Sequence, residues 1–344
     1  MKIGEVYFIR ERDRIDGGSS WYVKIGIVQD ISRDSQQRIR EHRAGNPRNL
    51  ELHHVTQTPG PYRVERFLHQ RFGPNRVRSE WFRLSDAELE SAVQLAERMA
   101  EEAFVHIPIM KAADELKTVI SSLEKIEPTD ETGRWINNLS VAKQAVKLCD
   151  EMSTAYKDVV GQLTPDERAQ AEFEELVVTE HYMVKNFDQQ RFTEKYPGLL
   201  ERYNQVSVKV GGTFRTTLPE VDLAEAASEL VKFTSNFQGS CDKVRGGESN
   251  FGELFDQYQI LQQFRGAYSW DEDVADAHLR VICGTSAGIE GQVTWKRTAK
   301  EDSSPDLERL ESEHREKYNE FVTVEVRTRL KTNRRARLQA HRPA

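Results

Sequence analysis

The chain has 344 residues, of which 38% are hydrophobic and 31% are charged. This composition is typical of a globular protein with much exposed surface, and the length predicts two or three domains. A membrane-spanning protein is excluded, because no apolar run approaches the roughly 20 residues that a bilayer requires. The sequence begins with a strand-like segment and without a signal-peptide pattern, so we expect a cytoplasmic protein with no membrane partner.

Charge is distributed unevenly along the chain. The net charge is −7, but residues 1–92 carry 16 Lys and Arg against 13 Asp and Glu, whereas the remainder carries 33 against 43. Residues 327–342 hold seven basic side chains and no acidic one. Basic ends around an acidic middle are compatible with a polyanionic partner such as nucleic acid, although a solvated charged surface would have the same composition.

The three cysteines, Cys149, Cys241 and Cys283, lie far apart and lack the spacing of a metal site. We expect buried free thiols, because free cysteine is among the most buried residue types.

Strand and helix patterns alternate in the first hundred residues. Ser85 and Glu88 form a capping box that opens a helix. The predicted elements are strands at 2–10, 21–28, 50–56 and 81–84, and helices at 32–43, 62–72 and from 85 past 100. We predict one α/β domain over residues 1–104, a small central antiparallel sheet flanked by helices.

The remainder of the chain is predicted to be mainly α-helical with β-hairpins. Periodicity predicts helices at 111–126, 134–162, 165–184, 220–236, 251–266, 271–283 and 305–318, a hairpin at 206–215, and strands at 293–296 and 321–328.

A weak internal repeat runs through this region. The segment from Asp188 to Phe192 resembles the segment from Asp306 to Leu310, and each is followed by Tyr-Asn and a strand-like stretch. The Tyr-Asn pairs, and the Ala-Tyr pairs that begin at residues 155 and 267, give an offset of about 111–115 residues. Chance similarity between amphipathic helices is the alternative explanation. The predicted division is a module at 105–215, a second module at 216–335 and a basic tail at 336–344.

Five side chains of the N-terminal domain suit the hydrolysis of a phosphodiester bond. The reaction needs a deprotonated water, a stabilised phosphate charge and a neutralised leaving group. The five are Tyr7 and Lys24 on the first two strands, Arg38 and His42 on one face of a helix, and Glu65 on the next helix. Taken singly, each has an ordinary explanation as a core tyrosine or an exposed charged residue. The case for a site therefore depends on their order and spacing.

In that order and spacing, the stretch at residues 3–95 resembles the GIY-YIG nuclease superfamily. The matching positions are Tyr7 in the first tripeptide of the name motif, Lys24 to Gly26 in the second, Arg38 and His42 on the first helix, Glu65 on the next, and Glu80 to Phe82 on a later strand. Lysine stands at position 24 where the family often has tyrosine, as it does in the phage-type branch with Lys-Ile-Gly.

The resemblance implies a metal-dependent endonuclease. Tyr7 would orient or deprotonate the attacking water, Arg38 would hold the scissile phosphate, and His42 would hydrogen-bond Tyr7 or the nucleophile. Glu65 would be the ligand of one Mg²⁺ or Mn²⁺ ion. Lys24 would donate to a phosphate or leaving oxygen, and as an ammonium ion it would favour the phenolate form of a nearby Tyr7.

A site that contacts phosphate has little sequence preference, so we expect the C-terminal region to contact the substrate. Lys296, Arg297, Arg334 and Arg335 are its candidate nucleic-acid-binding residues. The acidic balance of that region leaves protein binding or self-association through its helices as a rival role. We predict a DNA endonuclease, with a non-cleaving DNA-binding module and a helical scaffold as alternatives.

Overall fold

The structure, a computed structural model, describes residues 3–12, 19–29, 49–78, 80–173, 177–247 and 251–332. Its N-terminal strands form one five-stranded sheet in the order β3-β1-β2-β5-β4, and every neighbouring pair is antiparallel. The strands are β1 (Gly4–Arg12), β2 (Ser19–Val28), β3 (Asn49–Thr58), β4 (Arg76–Arg78) and β5 (Trp81–Arg83). The predicted α/β class and antiparallel sheet are confirmed, whereas the three-residue strand β4 was not predicted.

The sheet has a different apolar cluster on each face, because successive side chains of a strand point to opposite sides. Val6 and Phe8 lie on the face against which α1 (Pro61–Arg71) and α2 (Asp86–Phe104) pack. Tyr7 lies on the other face, in a separate apolar cluster.

The helix α2 begins as the sequence predicts. The Glu88 backbone N–H donates to the Ser85 hydroxyl over 3.3 Å, and the Ser85 N–H donates to the Glu88 carboxylate over 2.8 Å. These bonds favour the ionised form and lower the pKa of Glu88. The predicted capping box is confirmed.

A mostly helical region follows, as predicted. Its helices are α3 (Ile107–Leu116), α4 (Asp130–Gln162), α5 (Pro165–Phe173), α6 (Gln189–Lys195), α7 (Leu223–Ala226), α8 (Ser228–Arg245), α9 (Phe251–Cys283), α10 (Leu307–Glu313) and α11 (Arg315–Asn319). Its strands are β6 (Val177–Phe187), β7 (Asn204–Gly211), β8 (Arg215–Thr216), β9 (Gly288–Ile289), β10 (Val293–Thr294), β11 (Thr298–Pro305) and β12 (Val322–Thr332).

The two 33-residue helices α4 and α9 run antiparallel and carry the core of this region. Tyr156 stacks on Tyr258 with ring centroids 4.0 Å apart, and toward the other end Trp135 stacks on His278 at 3.8 Å. The cysteines are buried free thiols, as predicted, and burial raises the pKa of Cys149 to about 12. Within the described segments, no helix is both long and apolar enough to cross a bilayer.

Several predicted elements of this region were wrong. The helix predicted at 165–184 ends at Phe173, and its second half is strand β6. The hairpin predicted at 206–215 does not form, because β7 pairs with β11 and β8 pairs with β10. The helices predicted at 251–266 and 271–283 are one continuous helix, α9.

Two β-α-β units repeat in this region at a constant offset of 118 residues. The backbone N–H of Asp188 donates to the Phe321 carbonyl, and that of Asp306 donates to the Tyr203 carbonyl, both over 2.9 Å. Asp188 also caps α6, as Asp306 caps α10. The predicted repeat therefore exists, but Tyr203 corresponds to Phe321 and not to the Tyr318 that the sequence comparison selects.

The strands of the repeat pair between the units and not within them. Strand β6 pairs with β12 along eleven residue pairs, and β7 pairs with β11 along eight. The predicted boundary between residues 215 and 216 thus does not separate two modules, because each two-stranded ribbon contains one strand from each unit.

The N-terminal domain contacts the helical region through α1, which lies against α9. The Arg66 guanidinium lies over the Phe264 ring, 4.4 Å from its centroid. A Cβ on Gly266 would lie 2.4 Å from Cγ of Tyr62, so the absence of a side chain there lets the tyrosine approach α9 closely. This contact fixes α1, the helix that carries Glu65, against the helical region.

Candidate functional site

Tyr7 lies directly opposite Gly26 in the pairing of β1 with β2. A Cβ at position 26 would lie 2.6 Å from the Tyr7 hydroxyl oxygen and 2.7 Å from Cζ of its ring. The phenol therefore lies across β2 in space that any other residue would fill, and Tyr7 is only 3% exposed. Position 26 must therefore be glycine, because Tyr7 occupies the space that a side chain there would need.

Lys24 lies on the same face of β2, two residues before Gly26, and forms a buried ion pair with Glu80. Burial alone would lower the pKa of this lysine, but the negative charge of Glu80, assisted by Tyr7 and Glu65, outweighs burial and raises it. Lys24 is therefore an ammonium ion at neutral pH. Glu80, Tyr7 and Glu65 all favour this positive charge.

The backbone of Ile25 is held from two directions where β5 stops pairing with β2. Its N–H donates to the Glu80 carbonyl over 3.0 Å, and its carbonyl lies 3.0 Å from Nε2 of His69. Burial lowers the pKa of His69 to about 4, so the ring is neutral. The side-chain oxygen Oε1 of Gln263 on α9 lies 3.2 Å from Nδ1. Both neighbours of the ring are acceptors, so the single N–H of the neutral imidazole donates either to the Ile25 carbonyl or to Gln263.

Glu65 lies on α1 one turn before His69, on the same side of the helix, and is 2% exposed. Although α1 covers the face of the sheet opposite to Tyr7, α1 reaches the edge of β2 at Ile25. The Glu65 carboxylate is near enough to Lys24 to favour its charged form. Tyr7 and Lys24 thus share one face of the sheet, and Glu65 acts on Lys24 from the helix on the other face.

Arg76 on β4 is a further charged group beside these residues. Its guanidinium donates to the His69 carbonyl over 3.3 Å and lies over the Phe82 ring. Burial lowers the pKa of Arg76, while the charges of Glu80 and Glu65 oppose that shift. Two carboxylates and two cations therefore share one partly desolvated region.

The remaining predicted site residues are placed differently or lie outside the description. Arg38, His42, Arg334 and Arg335 are outside the described residues. Lys296 is exposed, but Arg297 is fully buried, and its guanidinium donates to the Val119 and Gly284 carbonyls. Arg297 therefore holds together loops of the helical region, which is at odds with the predicted contact with nucleic acid.

A divalent cation would find oxygen ligands of the required kind at Glu65. Among the described residues, no group of three His, Cys, Asp or Glu is arranged to hold a metal ion. Mg²⁺ and Mn²⁺ also bind through one or two carboxylates, with water and substrate phosphate as the other ligands. The buried Glu65 carboxylate, with Glu80 nearby to balance Lys24, fits that second arrangement.

Comparison with known families gives one result. Residues 4–98 match the family model of the T5orf172 domain. The match covers about a quarter of the chain and runs from β1 into α2, so it includes the strands and the helix that carry Tyr7, Lys24 and Glu65. The T5orf172 domain is found in phage proteins and endonuclease-like proteins. No curated protein and no solved structure matches the chain.

Within the region that matches the T5orf172 domain, sequence reasoning missed two contacts. Glu80 pairs with Lys24. His69 lies between the Ile25 carbonyl and the Gln263 side chain. The spacing of Glu65 and His69 by one helical turn was the signal that could have placed both on the same side of α1.

Proposed function

We propose that residues 4–98 form a GIY-YIG-type nuclease domain that hydrolyses phosphodiester bonds of DNA. The observation that carries the proposal is the buried Lys24 ammonium, which pairs with Glu80 and lies on the same face of the sheet as Tyr7. The T5orf172 match supports it, because that domain is related to the GIY-YIG fold and suggests a nuclease or DNA-binding role.

In this proposal, Tyr7 accepts the proton of the attacking water or orients that water. The Lys24 ammonium favours this role, because a positive charge beside the phenol stabilises its phenolate form. Gly26 fixes the position of the hydroxyl, which is what an oriented nucleophile requires. Arg38, outside the described residues, would donate to the phosphate oxygens as negative charge develops there.

Glu65 would hold one Mg²⁺ or Mn²⁺ ion, which would polarise the phosphate and acidify a bound water. The Lys24–Glu80 pair keeps a second positive charge available near the leaving oxygen. Glu80 has a further part, because its carboxylate compensates the buried Lys24 charge.

Cleavage of labelled duplex DNA, single-stranded DNA and RNA with Mn²⁺, Mg²⁺ or EDTA tests this function. We expect Mn²⁺-dependent cleavage of DNA that falls at least about 100-fold in Glu65→Gln and in Arg38→Ala. Glu101→Gln, at an exposed position of α2, is the matched control and should cleave as the wild type does. Unchanged cleavage in Glu65→Gln, or no cleavage by the wild type with either ion, would overturn the proposal.

A non-cleaving DNA-binding module is the second candidate. The burial of Tyr7 and Glu65, each at most 3% exposed, favours it, because substrate must reach both groups for cleavage. It predicts tight DNA binding by the wild type in every buffer and intact DNA after incubation with Mn²⁺.

A further inference from the structure

The two ribbons of the repeat extend into solvent along most of their length. The β6/β12 ribbon has eleven residue pairs, which at about 3.3 Å per residue gives a length of about 35 Å. Val324 and Val326 on β12 are 54% and 66% exposed, and Met183 on β6 is 74% exposed. A two-stranded ribbon with exposed apolar side chains is an unusual surface for a soluble protein unless something binds it.

The 118-residue offset makes the two ribbons copies that can be compared position by position. Val206 and Val208 of β7 correspond to Val324 and Val326 of β12, and all four are more than half exposed. The apolar positions are thus common to both ribbons. What differs between the copies is charge.

The β6/β12 ribbon is basic and the β7/β11 ribbon is neutral. Lys209 of β7 corresponds to Arg327 of β12, but Gly211 corresponds to Arg329, and β12 continues to Lys331. The full charged sets are Lys185, Arg327, Arg329 and Lys331 against Glu180 and Glu325 on the first ribbon, and Lys209 and Lys300 against Glu301 and Asp302 on the second.

The basic positions of β12 recur at every second residue, so they share one face of the ribbon. Of these, Arg327 is bound to Glu325, with its guanidinium 2.7 Å from the carboxylate. Both side chains of that pair are about half exposed, so the pair contributes little stability and can be exchanged for another anion. The sequence beyond β12 adds four arginines and no acid up to residue 344.

We propose that the β6/β12 ribbon binds the phosphate backbone of duplex DNA through the basic sequence of β12, which includes the exposed Arg327. A two-stranded ribbon fits the major groove, and its length of about 35 Å is close to one turn of B-DNA. The basic face stands out in a part of the chain whose net charge is −10, so charge complementarity selects a polyanion. This proposal rests on the nuclease function, for which the ribbon would be the substrate-holding arm.

The test is fluorescence anisotropy of a labelled 30-base-pair duplex in EDTA, with the full chain, over a series of salt concentrations. Arg327→Thr/Arg329→Thr removes two charges from the β6/β12 ribbon, and Lys209→Thr/Lys300→Thr removes two from the β7/β11 ribbon as a matched control. We expect the first variant to bind about 10-fold more weakly and to lower the slope of log K against log salt by about 2, since each phosphate contact contributes about 0.9. The control should bind within about 2-fold of the wild type.

Arg327→Lys/Arg329→Lys keeps the charge and should restore binding, which separates a charge effect from misfolding. Equal weakening in the two double variants, or none in the first, would overturn the ribbon proposal. If the wild type binds DNA in EDTA, the first variant binds it more weakly and neither cleaves it with Mn²⁺, the ribbon proposal is supported and the nuclease function is overturned. If the wild type cleaves DNA with Mn²⁺ and all variants bind it equally, the nuclease function is supported and the ribbon proposal is overturned. Loss of a dimer in Val324→Lys/Val326→Lys, with DNA binding unchanged, would assign the ribbon to a second copy and overturn the proposal.

Discussion

The Tyr7 phenol lies against the backbone of Gly26, in the position that a Cβ atom at residue 26 would take. Gly26 is needed there for space and not for an unusual backbone angle, because its φ is outside the left-handed range that glycine favours. The second tripeptide of the motif therefore positions the tyrosine of the first.

Gly26→Ala should displace the Tyr7 ring and lower the free energy of unfolding by about 1–3 kcal/mol. In a Tyr7→Ala background the same change should have a much smaller effect, because the atoms it would meet are gone. Urea denaturation of the four proteins gives the coupling energy. A coupling energy near zero would contradict the contact.

Removal of the Lys24 ammonium should leave Glu80 without its buried partner. We expect Lys24→Met to destabilise the protein by about 1–3 kcal/mol, less than a fully buried pair would give, because the Glu80 side chain is 31% exposed. The double variant Lys24→Met/Glu80→Gln should recover part of the stability that Lys24→Met loses, because it no longer leaves a carboxylate without its cation. Lys117→Met breaks an exposed pair with Asp114 and is the control, with an expected effect within about 0.5 kcal/mol. Equal effects of the two methionine variants would argue against a buried pair.

His69 should make the protein less stable as the pH falls from about 6.5 to about 4. The pKa of His69 is about 4 in the folded protein and near 6.5 when unfolded, so the unfolded chain binds more protons in that window. The loss is at most about 3 kcal/mol. In His69→Gln this part of the pH dependence should vanish, whereas His181→Gln, on an exposed strand, should keep it. Identical profiles of melting temperature against pH for His69→Gln and the wild type would contradict this prediction.

Gly266 and Gly239 allow a matched test of the contact between α1 and α9. Gly266→Ala would push a Cβ into the Tyr62 ring and should cost about 1–3 kcal/mol. Gly239 is an exposed glycine of α8 with nothing within 4 Å of its Cβ position, so Gly239→Ala should stabilise the helix by about 0.5–1 kcal/mol. Opposite signs of the two changes in thermal unfolding are the expected result, and equal signs would contradict the close approach.

The N-terminal elements could be predicted because their evidence is local. Alternation identified β1 to β3, and the Ser85 and Glu88 pair identified the start of α2. The pairings of β6 with β12 and of β7 with β11 join residues at least 87 positions apart, which no local pattern records. The β-branched and aromatic residues of β6 were a strand signal, which the prediction of one helix over residues 165–184 missed.

The candidate site was predictable in its members and not in its connections. Tyr7, Lys24 and Glu65 could be selected by order and spacing, but the choice of Lys24 as the partner of Glu80 depends on where β5 ends. Arg297 shows the opposite error: a Trp-Lys-Arg stretch looks like a basic surface in sequence, while the chain folds the guanidinium inward onto carbonyls.

The interleaving of the repeat has a consequence for how the protein is made on the ribosome. Strand β6 leaves the ribosome more than 130 residues before its partner β12, a delay on the order of ten seconds at bacterial synthesis rates. The sheet of the N-terminal domain has all five of its strands once residue 83 has been synthesised, long before β12 is made. A ribosome-bound chain would therefore have a complete N-terminal sheet while β6 is still unpaired and exposed to chaperones and proteases, because its partner strand has not been synthesised.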